Sequence, residues 1–201
     1  MSPSLMNWIQ RLAAALLLAA GLAACDSGPS FHSTDITGAG FGQDFRLNDP
    51  DGQPRSLADF RGKAVMVFFG FTQCPDVCPT ALIRAAEVKH LLGDQASRLQ
   101  VIFVTLDPER DTPAVLREYT TAFDADFLGL YTTLEDTRSL ADEFRIFYRK
   151  VPTGGSYTMD HTATSYVYDP AGALRLAVPH AQDAASVAAD LQTLLQSFPV
   201  R

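Results

Sequence analysis

Two cysteines and one histidine hold the reactive chemistry of this chain. The run Phe68-Phe-Gly-Phe-Thr-Gln-Cys74-Pro-Asp-Val-Cys78-Pro-Thr80 places two thiols between an apolar stretch and a stretch with helical spacing. At a turn from strand into helix, both sulfurs lie beside the unpaired N–H groups and partial positive charge of the helix start, which favours thiolate. Three residues separate the cysteines, not the two of fast dithiol exchange, so the loop is wider. It can hold both sulfurs around one metal ion, and it can also close into a disulfide. Soft thiolates favour Cu(I), zinc or an iron–sulfur cluster, and copper needs at least one more donor. His161, in Tyr157-Thr-Met-Asp-His161-Thr162, is the natural candidate. Two thiolates and an imidazole suit trigonal Cu(I); added oxygen ligands suit Cu(II). A structural zinc site calls for a fourth protein ligand, and the third cysteine, Cys25, lies far upstream.

The elements that must position these groups are legible in the apolar pattern. Ala64–Phe69 is a continuous apolar run of strand length, as expected of a strand covered on both faces, and Leu99–Leu106 reads as a second buried strand. Between them, Pro79 to Leu92 has helical spacing and ends at Gly93. Phe45–Leu47 reads as a short strand, Ser56–Gly62 as a helical turn, and Phe127–Tyr131 as another short strand. Thr112 caps a helix beginning at Pro113, and Glu135 to Tyr148 reads as a further helix. Thr164–Tyr168 and Ala173–Ala177 flank the turn Asp169-Pro-Ala-Gly172, a hairpin, and Asp183 to Phe198 is an amphipathic closing helix. This order implies an α/β domain: a mixed central sheet with helices on both faces, in the thioredoxin-like arrangement with extra segments before the hairpin.

The start of the chain reads as an address. Leu12 to Leu22 is an apolar run too short to span a bilayer comfortably and of the length of a signal-peptide core. Leu22-Ala-Ala-Cys25 looks like a bacterial lipobox, with Cys25 the lipidated residue. The predicted organisation is therefore a signal peptide over 1–24, a lipidated N-terminus and flexible tether over 25–42, and one domain over 43–201. Asp26 resembles a signal for retention at the inner membrane. A thiol pair beyond that membrane faces a compartment in which dithiols tend to oxidise. The 201 residues are 47% hydrophobic and 19% charged with a formal charge of −7, a globular composition. An acidic chain without Lys/Arg clusters has no electrostatic footprint for nucleic acid, so that class of partner is set aside.

With these residues in view, the chain resembles the Sco/SenC family of copper-handling proteins over roughly residues 41 to 198. Cys74 and Cys78 in Phe-Thr-Gln-Cys-Pro-Asp-Val-Cys-Pro-Thr are similar to the family's cysteine motif, and His161 in Asp-His-Thr to its histidine ligand. Val104-Thr-Leu-Asp107-Pro-Glu-Arg110-Asp-Thr-Pro113 matches a third family segment. The resemblance implies a membrane-tethered, thioredoxin-fold protein that binds copper through Cys74, Cys78 and His161. It also implies a role in building the dinuclear copper centre of cytochrome c oxidase, with the copper-bearing subunit as partner. The family is often anchored by a transmembrane helix, whereas lipid on Cys25 at the periplasmic side of the inner membrane is expected here.

Other functions stay open on the sequence alone. A thiol-disulfide reductase of a cuproprotein's cysteines needs the fold and the redox pair Cys74 and Cys78 but not His161. A peroxidase shares the lead-in Asp51-Gly…Leu57-Ala-Asp-Phe-Arg-Gly-Lys63, but the Thr expected three residues before its reactive Cys is replaced by Pro75 or Phe71. Asp107 and Arg110 read as a charge-assisted brace, Met159 as packing, and Asp76 and Asp160 as turn residues that could approach Cu(II). His32, His90 and His180 read as solvated.

Overall fold

Uninterrupted runs of branched and aromatic residues build the middle of the sheet. The computed structural model describes residues 29–199, and the signal-peptide and lipobox readings, Cys25 included, fall outside them. In chain order the strands are β1 (Thr34–Asp35), β2 (Leu47–Asn48), β3 (Pro54–Arg55), β4 (Ala64–Gly70), β5 (Leu99–Thr105), β6 (Leu128–Leu130), β7 (Tyr148–Pro152), β8 (Tyr157–His161), β9 (Ser165–Tyr168) and β10 (Leu174–Val178). The α-helices are α1 (Val77–Leu91), α2 (Pro113–Thr121), α3 (Leu134–Glu143) and α4 (Ala184–Gln196). One six-stranded sheet runs β1-β10-β9-β4-β5-β6, and β2-β3 and β7-β8 form separate two-stranded ribbons.

β4 lies at the centre with every residue buried, parallel to β5 in the register Phe68↔Phe103 and antiparallel to β9 in the register Val67↔Tyr166. Alternate side chains leave opposite faces of a strand. Phe68 packs on Phe103, which in turn meets Tyr119 of α2. Phe69 leaves the other face to meet Phe144, at the end of α3, with ring centroids 4.9 Å apart. Helices therefore cover both faces, with α1 packed along α4. The mixed α/β, thioredoxin-like organisation expected from the element order is the one observed.

Two expectations are corrected. The segment over 25–42, read as a flexible tether, is part of the folded domain from Phe31 onward. β1 pairs with β10, and the buried carboxylate of Asp190 accepts the N–H groups of His32 and Ser33 at 2.7 and 2.8 Å. Tyr168 donates its hydroxyl to the Gly42 carbonyl at 2.8 Å, and Phe41 packs edge-on to Tyr166. Gly, Ser and Thr gave this stretch no period, and the partners that order it lie more than a hundred residues away in sequence.

The helix read over 135–148 stops at Glu143. Arg145 takes a left-handed conformation (φ 54°), and the N–H groups of Ile146 and Arg145 donate to the carbonyls of Ala141 and Asp142. This is a Schellman closure, in which glycine normally occupies the left-handed position. With arginine there the sequence carries no stop signal, and the expected helix runs on to Tyr148, the first residue of β7.

Candidate metal centre

The cysteine turn starts at a glycine that nothing larger can replace without displacement. A Cβ on Gly70 would lie 2.7 Å from Cys78 Sγ and 2.9 Å from Phe103 Cε2. Gly70→Ala is expected to cost roughly 1–3 kcal/mol, the range for overpacking a filled core. Urea unfolding alongside thiol reactivity checks this; wild-type values in both would show that the sulfur gives way freely. Two residues on, Thr72 donates from N–H and Oγ1 to the Asp111 carboxylate at 3.0 and 2.6 Å. Thr105 of β5 donates to the same carboxylate at 2.6 Å. Asp111 thus ties the start of the cysteine turn to the sheet, although burial pushes its carboxyl above the usual range.

Cys74 is half-buried and Cys78, in the first turn of α1, is fully buried; neither is in a disulfide. The N–H of Cys78 points at Cys74 Sγ at 3.4 Å, so this sulfur sits on the start of α1 where Asp76, at the cap position, makes no side-chain capping bond. The hydrogen bond from the Cys78 thiol, above all, holds Cys74 down at about 3, against the desolvation of a half-buried site; the N–H groups of Asp76 and Cys78 add to it. Cys78 moves the opposite way, because it supplies that proton to Cys74 and is buried. The pair is therefore a thiolate at Cys74 and a thiol at Cys78.

A folded value below the unfolded one means that Cys74's contribution to stability is complete above the unfolded thiol value and is lost as pH falls through about 3. In alkylation by iodoacetamide, Cys74 should react at a nearly constant rate from about pH 5 to 8, whereas an ordinary thiol gains about tenfold per unit. Cys78 should stay unmodified throughout. Mass spectrometry at each pH checks both, and a Cys74 rate that climbs tenfold per unit over this range would contradict the assignment.

His161 is the last residue of β8. Its Nδ1 lies 2.9 Å from the Thr162 carbonyl, which can only accept, so Nδ1 carries the proton and Nε2 presents a lone pair. That Nε2 is 3.5 Å from Cys78 Sγ. Phe68 and Phe71 meet the imidazole edge-on with centroids 6.0 and 5.8 Å away, forming an apolar wall. The two sulfurs and an imidazole nitrogen all lie within 4.8 Å of one another, close enough to share one ion.

Arg110 locks the histidine-bearing ribbon against the cysteine turn. Its Nε donates to buried Asp107, and its Nη1 donates to Gln73 Oε1 at 3.1 Å and to the Tyr157 carbonyl at 2.8 Å. The guanidinium also lies 3.7 Å over the Tyr157 ring, whose hydroxyl donates to Asp107 at 2.7 Å. One side chain thus spans the residue next to Cys74, the 107–111 loop and β8.

The three predicted site residues Cys74, Cys78 and His161 are brought together; Asp76 and Asp160 do not join them. Asp160 faces away from His161 across the strand and pairs with Arg149 at 2.6 Å. Met159 is packing, as expected, and the Asp107–Arg110 brace is present. The reach of Arg110 into β8 and the need for glycine at 70 were missed. An Arg within a turn, three residues from an Asp, signals a local brace but not where its free guanidinium nitrogens point.

A thioredoxin-like fold whose cysteine turn faces an imidazole instead of a proline loop defines a dithiol protein equipped to hold a soft metal ion. The SCO1/SenC family model matches residues 33–196, and the chain belongs to that family. Among curated relatives it is similar to the SCO2-like protein of Rickettsia felis, 35% identical over 134 residues. That alignment covers 65% of this chain and 65% of the relative, so the chain spans about two thirds of the length of such relatives. Among solved structures, copper-bound ScoI of Bradyrhizobium japonicum is 38% identical with a TM-score of 0.70, covering 77% of this chain and 99% of that one. Apo Sco1 of Thermus thermophilus is 42% identical with a TM-score of 0.72, covering 83% and 98% respectively.

Proposed function

We propose that this protein binds copper through Cys74 Sγ, Cys78 Sγ and His161 Nε2 and delivers it to, or prepares, the dinuclear copper centre of cytochrome c oxidase. The observation that carries the reading is the donor set: two sulfurs and an imidazole lone pair within 4.8 Å, walled by aromatic rings. Two thiolates and an imidazole satisfy Cu(I), while a structural zinc site would lack its fourth protein ligand among the described residues. The 38% identity to copper-bound ScoI supports copper as the cargo, and family membership supports the oxidase as recipient. Copper analysis after loading tests it, with the wild type set against Cys74→Ser, Cys78→Ser and His161→Ala.

The protein is further read as a lipoprotein on the periplasmic face of the inner membrane: signal peptide over 1–24, lipid on Cys25, and the folded domain beyond. The lipobox supports this, and no helix among the described residues is long and apolar enough to cross a membrane. Intact-mass measurement of protein from membranes should show a chain starting at Cys25 with added acyl mass. A chain retaining Trp8 would overturn it.

A second reading, reduction of a cuproprotein's disulfide, is favoured by the half-buried thiolate beside a fully buried thiol. Cys74 would attack the partner disulfide to form a mixed disulfide. Cys78 would then resolve it, leaving the partner as dithiol and Cys74–Cys78 oxidised. His161 separates the two readings, since thiol exchange does not require it.

A further inference from the structure

The two edges of the β7–β8 ribbon are treated differently. The outer edge of β8 is covered by Arg110, which takes the Tyr157 carbonyl. β7 pairs only with β8, so its other edge is open. The N–H of Thr162 donates to the Phe147 carbonyl, which puts residues 147, 149 and 151 in the inward-bonding positions of the ladder. The backbone groups of Tyr148 and Lys150 therefore point outward, and no other bond to them is present among the described residues.

That edge borders a cleft of about 440 Å³ whose opposite wall is α3. Its exposed apolar side chains are Leu134 and Phe147, at 46% and 60% exposure, with buried Ile146 beneath. Its charged groups are Arg138, Arg149 and Lys150 against the single acid Asp142, a local cationic excess on a chain of net charge −7. Arg138 makes no ion pair among the described residues; Arg149 and Lys150 each hold one exposed partner, Asp160 and Glu109. Exposed pairs of this kind exchange readily for others. An unprotected edge beside apolar and cationic side chains is the footprint of strand addition by an extended segment.

We propose that β7 is a docking edge for an extended segment of the protein with which the site exchanges copper, one that carries both acidic and apolar residues on the face turned to the cleft. Tyr148 lies directly opposite His161, so the added strand would run about 10 Å from the histidine, two strand spacings away. Main-chain bonds to Tyr148 and Lys150 hold the segment, its apolar side chains cover Leu134 and Phe147, and its carboxylates meet Arg138 and Arg149. The identity of the exchange partner rests on the copper reading above; the edge itself does not.

The test uses a short synthetic peptide with Val and Glu taking turns at every second position and Ser between them, so that both types share one face, and its counterpart with Lys for Glu, titrated into isotope-labelled protein. The Glu peptide should slow hydrogen exchange at the Tyr148 and Lys150 amides and shift residues along α3, and added salt should weaken it. Arg138→Glu should weaken binding about fivefold or more, since an attraction becomes a repulsion. Lys150→Pro, which removes an outward N–H but no bond of the ribbon's own ladder, should abolish it. Equal binding of both peptides, no protection at Tyr148 and Lys150, or an unaffected Arg138→Glu variant would overturn the proposal; Arg138→Glu decides the matter if Lys150→Pro fails to fold. Copper uptake measured on the same samples reads the other proposal separately, because neither variant alters a sulfur or the imidazole.

Discussion

Cys78→Ser should lose copper in both oxidation states while keeping its fold. The thiol is fully buried against Gly70, with His161 Nε2 at 3.5 Å. A serine hydroxyl is slightly smaller and keeps the same nearby acceptors, Nε2 and the Cys74 sulfur, so little stability should change. Its oxygen, however, is a hard and weakly basic donor. It leaves Cu(I) with one thiolate and Cu(II) with a single sulfur–nitrogen pair. Cys74→Ser should be as damaging for a second reason: it removes the sulfur that accepts the N–H of Cys78 at the start of α1. Copper retained after Cu(I) loading in competition with a chromophoric chelator is the measurement, with thermal unfolding as the check on fold. Wild-type retention by either variant would remove that cysteine from the ligand set.

His161→Ala should damage the two oxidation states unequally. Cu(I) keeps both of its preferred thiolates in a weaker two-coordinate site. Cu(II) favours a tetragonal set with nitrogen and oxygen donors, so it depends on the imidazole. The loss for Cu(II) should be on the order of 10–100-fold, the size typical of disturbed ligand support. Asp160 offers no substitute, since it is turned away and paired with Arg149. The sulfur-to-Cu(II) charge-transfer band should disappear while part of the Cu(I) capacity remains. An unchanged Cu(II) spectrum would show that the histidine is not a ligand, and disulfide reduction would become the leading reading.

The central strands, the helix carrying Cys78, the closing hairpin and the final helix were legible because each is a local pattern. β4 is apolar throughout, and β5 apart from Gln100 and Thr105, since both faces are covered, and α1 follows a turn containing Thr72, Gln73, Pro75 and Asp76. The segment over 31–42 was not legible, because Asp190, Tyr168 and β10 order it from the far end of the chain. The β7–β8 ribbon was hidden too, since the stop before it uses Arg145 where the rule looks for glycine.

For the site, the sequence by itself determined which groups could bind a soft ion: two thiols at a helix start and a histidine downstream. Residue type sets donor softness, and the cysteine spacing sets the size of the loop, so neither needs a third dimension. Only the tertiary structure decided how they are poised. The Thr162 carbonyl selects the tautomer that frees Nε2, and Cys74 becomes the thiolate because it alone receives the N–H groups of α1 and the Cys78 proton. Arg110 and Asp111 hold the ribbon and the turn in reach of each other. Distances of a few ångströms between segments 83 residues apart are set by packing, and proton positions follow from those distances.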